Sequence, residues 1–160
     1  MPRTTANALL NNVWGDRGFP VDPVWIANEL GLDVVETQIS NEVSGALLKE
    51  AEQDPVIILN QNDSNVRKRF TCAHELGHYI RRTENGTSLE YQFIDYRGKL
   101  SSKGIDPEEI FANQFAACLL MPEKEVRRLA EAKYSPVMMS SYFGVSDDAI
   151  RFRLSKLGLR

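Results

Sequence analysis

Only two histidines occur in this 160-residue chain, and they stand four residues apart with a glutamate directly after the first, in RKRFTCAHELGHYIRR at residues 67–82. A helix advances about 100° per residue, so His74 and His78 lie about 40° apart on one face and can both reach a single ion. Glu75 is turned about 100° from His74, off the ligand direction yet close enough to reach a water molecule beside that ion. His-Glu-x-x-His therefore supplies two metal ligands and a general base, each needed at its own offset. The competing reading, a polar face of an ordinary helix, requires a coincidence of roughly one in a thousand. A chain built around this turn must form a helix there and bring a further ligand to it from another element.

Two imidazoles do not complete a catalytic zinc site, which takes three protein ligands and leaves the fourth position to water. Cys72 falls about 200° round the helix from His74 and points away from the metal face. An acid is therefore required, and the helix DPEEIFANQFAACLLM offers Glu108 and Glu109. Ala112, Asn113, Ala116 and Leu120 fall within about 60° of Glu109, and the small alanines let this helix approach the histidine helix closely. Phe111, Phe115 and Cys118 are expected to point the other way, into the core. Asn113, one turn after Glu109, can accept a hydrogen bond from the second nitrogen of a ligand histidine and so set its tautomer. Asp106, Pro107 and Glu109 also form a capping pattern in which Glu109 bonds back to the Asp106 amide. Spacing alone does not choose between these roles; the need for a third ligand favours the metal.

Around this pair the pattern predicts an α+β fold. Two helices come first, TTANALLNNVWGD and a second capped by Asp22 with Pro23 at its first position. Three strand-like runs follow, DVVETQI, SGALLKE and PVIILN, whose short connections predict a small, mostly antiparallel three-stranded sheet. Residues 83–104 read as a long loop flanking the active site, with room for a short strand around YQFIDY. The last 40 or so residues read as helical. The expected division is a metallopeptidase domain over residues 1–122 and a helical extension over 123–160 packed on it.

In that extension, MMSSYFGVSDDAIRFRLSKLGL has the look of a helix-turn-helix unit carrying Arg151, Arg153 and Lys156. Yet the formal net charge is −3 and the sequence pI is near 5.5, where a protein devoted to holding DNA would carry a basic excess. Direct DNA binding is the less favoured use of these helices. No signal-peptide pattern and no membrane-length apolar run is visible, and Cys72 and Cys118 do not make a disulfide framework, so the cytoplasm is expected.

RKRFTCAHELGHYI followed by EEIFANQFAACLLMP resembles the ImmA/IrrE family of zinc metallo-endopeptidases. The likeness extends to PVDPVWIANELGLDVV, SGALLK and PVIILN before the motif and to YFGVSDDAIRFRLSKLGL after it. Residues 83–104 match nothing in the family pattern. The resemblance implies a zincin-like mixed core with a thermolysin-like site, zinc held by His74, His78 and Glu109, and Glu75 as catalytic base. It also implies the substrate class, a helix-turn-helix repressor or antitoxin often encoded beside the enzyme in mobile elements or stress circuits.

Peptide hydrolysis at such a site needs a donor for the developing oxyanion besides the metal. Tyr91, Tyr96 and Arg97 are the candidates; Tyr79, about 140° from His74, is expected to be packed. Arg151 and Arg153 are the candidate substrate-docking residues. The alternative function is a DNA-binding or toxin-like regulatory module whose zinc site has little or no peptidase activity. An intact Glu75 speaks for the enzyme, since a structural site has no use for a general base.

Overall fold

The computed structural model describes residues 1–86, 90–97 and 106–160. Helix α1 (Pro2–Leu9) runs on into a π-helical turn (Leu10–Trp14) that stops at Gly15. Helix α2 (Pro23–Glu29) starts at Asp22, whose carboxylate accepts from the amides of Val24 and Trp25. Strands β1 (Asp33–Thr37), β2 (Val43–Lys49) and β3 (Val56–Asn60) fall on the three strand-like runs. Helix α3 (Asn65–Glu84) begins at Ser64, whose hydroxyl accepts from the Arg67 amide.

The sheet departs from the sequence expectation in two ways. It has four strands in the order β1-β3-β2-β4, the fourth being Tyr91–Tyr96, inside the stretch read as a loop. It is also mixed: β2 runs antiparallel to both β3 and β4, whereas β1 pairs with β3 in parallel. The β2–β3 turn is short enough for a hairpin, but the chain leaves β1 on the far side of β3. β4 is specified by long-range pairing, with Phe93 opposite Leu47 and Ile94 opposite Ala46. Of the expected loop, residues 83 and 84 end α3, while residues 87–89 and 98–104 lie outside the described residues.

Helix α4 (Pro107–Leu120) packs between α1 and α3 and buries Phe111, Ala112, Phe115, Ala116, Cys118, Leu119 and Leu120, leaving Ile110, Asn113 and Gln114 on an exposed face. Phe115 therefore does not simply point away from the histidine helix as its angle suggested. It faces Gly77 of α3, where a Cβ would lie 2.9 Å from its Cδ1 and 3.2 Å from the Ala112 Cα. Helices α5 (Glu123–Glu131), α6 (Pro136–Phe143) and α7 (Asp147–Lys156) complete the chain. Gly144, between α6 and α7, has φ +66°, a left-handed conformation that suits glycine, and the Ser146 hydroxyl caps α7.

One apolar core runs from Ala6 to Leu154 and includes Leu47, Ile57, Leu76, Phe115, Leu129, Phe143 and Ile150. Arg69 of α3 ties the last helices to it, donating to the carbonyls of Val21 (2.6 Å), Gly144 (2.9 Å) and Phe143 (3.1 Å). Among the described residues no helix is long and apolar enough to cross a membrane.

Candidate metal centre

Side chains from two other elements, α4 and β4, meet helix α3 at its middle turns. On one side α4 comes close because Gly77 has no side chain and Ala112 and Ala116 are small. Arg81 secures that contact, pairing with Glu108 at 3.5 Å and lying 4.7 Å over the Phe111 ring. On the other side β4 lies along the helix. Arg82 sits 5.3 Å over Tyr91, His78 stacks on Phe93, and Asp95 lies near His74 and Glu75. The match is one of pitch: two strand residues advance about 6.8 Å and four helical residues about 6 Å, so alternate β4 side chains meet successive turns of α3.

His74, Glu75 and His78 are each at most 3% exposed. Glu109, half-buried at the start of α4, inserts its carboxylate between the two rings. Its Oε2 is 3.0 Å from His74 Nε2, its Oε1 is 3.2 Å from His78 Nε2, and the two Nε2 atoms are 3.2 Å apart. The other nitrogen of His74, Nδ1, lies 2.8 Å from Asn113 Oδ1. The capping role falls to Asp106 alone, whose carboxylate accepts from the Glu108 amide, leaving Glu109 to the histidines.

The electrostatics follow from this packing. Burial disfavours charge on His74, but its hydrogen bond with Glu109 and the charges of Glu75, Asp95 and Glu109 raise its pKa above the ordinary value. Burial likewise opposes ionisation of Glu109, yet the hydrogen bonds from His74 and His78 hold its carboxyl well below the usual carboxylate range. Burial and the nearby charges of Asp22 and Glu75 push the Cys72 thiol up, so it stays protonated and is no competing ligand.

The donor set fits a metal ion. Tetrahedral zinc at bonds of about 2.0–2.1 Å sets neighbouring donors about 3.3 Å apart. The separations here are 3.0, 3.2 and 3.2 Å, between two imidazole nitrogens and a carboxylate. A second group of potential ligands, His74, Glu75 and Asp95, adjoins the first.

Other sequence candidates lie in different surroundings. Tyr91 is on the site-facing side of β4 but one turn beyond His78, against Arg82. Tyr96 is on the opposite side of the strand by alternation and is 38% exposed. The Arg97 guanidinium donates to the Asn41 carbonyl at 2.6 Å and pairs with Asp63 at 2.5 Å, tying the end of β4 to the β1–β2 and β3–α3 connections. Tyr79 lines a groove with Leu9 and Val13. Arg151 is at the surface, paired with Asp147 at 2.7 Å, whereas Arg153 turns inward and donates to the Met121 carbonyl at 3.0 Å.

Sequence reading overlooked Phe93 and Asp95. The short strand allowed around YQFIDY is the signal that could have found them, because alternation puts Tyr91, Phe93 and Asp95 on one face and separates them from Tyr96.

A helix presenting two buried imidazoles to a carboxylate from its neighbour, in a mixed α+β domain, is an arrangement of the metallopeptidase class. The peptidase family described as the IrrE N-terminal-like domain matches residues 27–155, and the chain belongs to that family. The match runs from within α2 to within α7, through the histidine and glutamate helices alike. No curated protein matches the chain.

Proposed function

We propose that the protein is a zinc-dependent endopeptidase that hydrolyses a peptide bond in a specific intracellular protein, a helix-turn-helix repressor or antitoxin. The observation that carries this reading is the triangle of His74, His78 and Glu109 donors at 3.0–3.2 Å, with the fully buried Glu75 next in the chain. His74, His78 and Glu109 would hold the ion, and Asn113 would fix the His74 tautomer. When bound, zinc supplies Lewis acidity, acidifying water towards a pKa of ~7 and polarising a carbonyl. Glu75 takes the proton of the attacking water and delivers it to the amine that leaves. Its burial keeps bulk water from competing for that proton.

The DNA-binding form of the regulatory-module alternative needs a basic surface. The net charge of −3, the inward turn of Arg153 and the pairing of Arg151 with Asp147 argue against it. Repressor docking through the surface around Arg151 belongs to the proposed reading, with selectivity set outside the cleft. Localisation in the cytoplasm goes with that substrate.

The test joins metal content to cleavage of a co-encoded repressor. Purified protein should carry about one zinc per chain. Glu75→Gln should keep the zinc and lose at least ~100-fold in cleavage, as a missing general base requires. Cleavage retained by Glu75→Gln would remove the mechanism.

A further inference from the structure

The two ligand histidines are held differently. His74 is oriented through its far nitrogen, which meets Asn113 at 2.8 Å. His78 is 1% exposed, and its Nδ1 has no hydrogen-bond partner among the described residues. Ligand histidines almost always donate their second N–H to an acceptor that fixes the ring. The imidazole torsion is broad and roughly two-fold, so a ring without such an acceptor needs another restraint.

That restraint is visible in β4. The Phe93 ring lies parallel to the His78 ring, with centroids 4.2 Å apart and planes 12° from each other. His74 closes the arrangement with a ring at 81° to that of His78 and centroids at 4.8 Å. Phe93 is itself held from two sides, by its register opposite Leu47 in β2 and by the Arg82 guanidinium 5.5 Å from its ring centre. A parallel stack sets the plane of an imidazole but does not tell its two flips apart. The contact of His78 Nε2 with Glu109 Oε1 at 3.2 Å makes that second choice.

We infer that Phe93 is a positioning residue for the metal site, holding the ring plane of ligand His78 by stacking where no acceptor among the described residues does so by hydrogen bonding. The inference rests on the zinc reading above and adds β4 to the elements that build the site. A role in filling volume would be met by any apolar side chain of similar size. A role in stacking requires a flat one.

Leucine and tyrosine at position 93 separate the two roles. Zinc affinity would be measured by competition with a chromophoric chelator, and ligand geometry by the visible absorption of the cobalt-substituted protein. Urea unfolding of each metal-free variant would correct binding for the folded fraction. Phe93→Leu should weaken zinc at least about 10-fold, the scale of a lost outer contact, and alter the cobalt spectrum. Phe93→Tyr should keep both wild-type affinity and spectrum. Wild-type affinity and spectrum in Phe93→Leu, or an equal loss in Phe93→Tyr, would overturn the inference while leaving the zinc reading intact. A wild-type chain that takes up neither zinc nor cobalt would overturn both.

Discussion

Asn113 Oδ1 lies 2.8 Å from His74 Nδ1, while Glu109 Oε2 lies 3.0 Å from the Nε2 of the same ring. Asn113 Oδ1 is an acceptor and so favours a proton on Nδ1, while Nε2 faces Glu109 and His78, and the surrounding carboxylates raise the pKa of the ring. Zinc would be held at Nε2 and leave the Nδ1–H on Asn113. Removing that acceptor in Asn113→Ala should cost about 10–100-fold in zinc affinity, read by chelator competition. Unchanged affinity would show that the contact does not orient the ligand.

The same surroundings predict how metal binding depends on pH. His74 is raised from 6.5, so its contribution to stability is full below that value and disappears as pH rises through the raised one. Glu109 is lowered from 4.5, so its contribution is present above that value and disappears as pH falls through the depressed one. The metal-free protein thus loses stability from His74 on the alkaline side, whereas zinc needs that ring without its Nε2 proton. The rise in Tm on adding zinc should therefore grow from about pH 6 to about pH 8, measured by calorimetry at fixed free zinc. A rise that shrinks over this range would refute competition between zinc and a proton on His74.

Gly77 sets how closely α4 approaches α3. In Gly77→Ala the new methyl would meet the Phe115 ring at 2.9 Å and the Ala112 backbone at 3.2 Å. The ring can shift a little, but the backbone moves only with its helix, which also carries Glu109. Overpacking of this kind costs about 1–3 kcal/mol. The variant should lose that much in urea unfolding and also bind zinc more weakly, since Glu109 is pushed from the histidines. A stability loss with wild-type zinc affinity would mean that the strain is absorbed elsewhere.

Arg69 is the corresponding tie on the far side of α3. Arg69→Met would leave the Val21, Phe143 and Gly144 carbonyls without their shared donor. Buried acceptors left unsatisfied cost about 1–3 kcal/mol each, so the variant should lose at least about 2 kcal/mol in urea unfolding. Zinc affinity of the folded fraction should hold, because Arg69 lies more than a helical turn from His74. A wild-type unfolding midpoint would show that water serves these carbonyls equally well.

Much of the site was legible in the chain itself because helices are local structures. Spacing in the sequence fixes angle on the helix, so His74, Glu75 and His78 could be placed on one segment and Glu109, Ala112 and Asn113 on another before any packing was known. The alanine face of α4 predicted its approach to α3, and the family resemblance agrees with the match over residues 27–155. Only the tertiary structure decided what depends on contacts distant in sequence. The parallel partner of β1 and the place of β4 in the sheet arise from pairing between separated strands; YQFIDY left room for a strand, but nothing local pairs it with β2. The choice of Phe93 and Asp95 over Tyr96 followed from which face of that strand meets α3. The inward turn of Arg153 was equally hidden, because a surface-looking arginine and one that answers the Met121 carbonyl differ only in what the fold sets beside them.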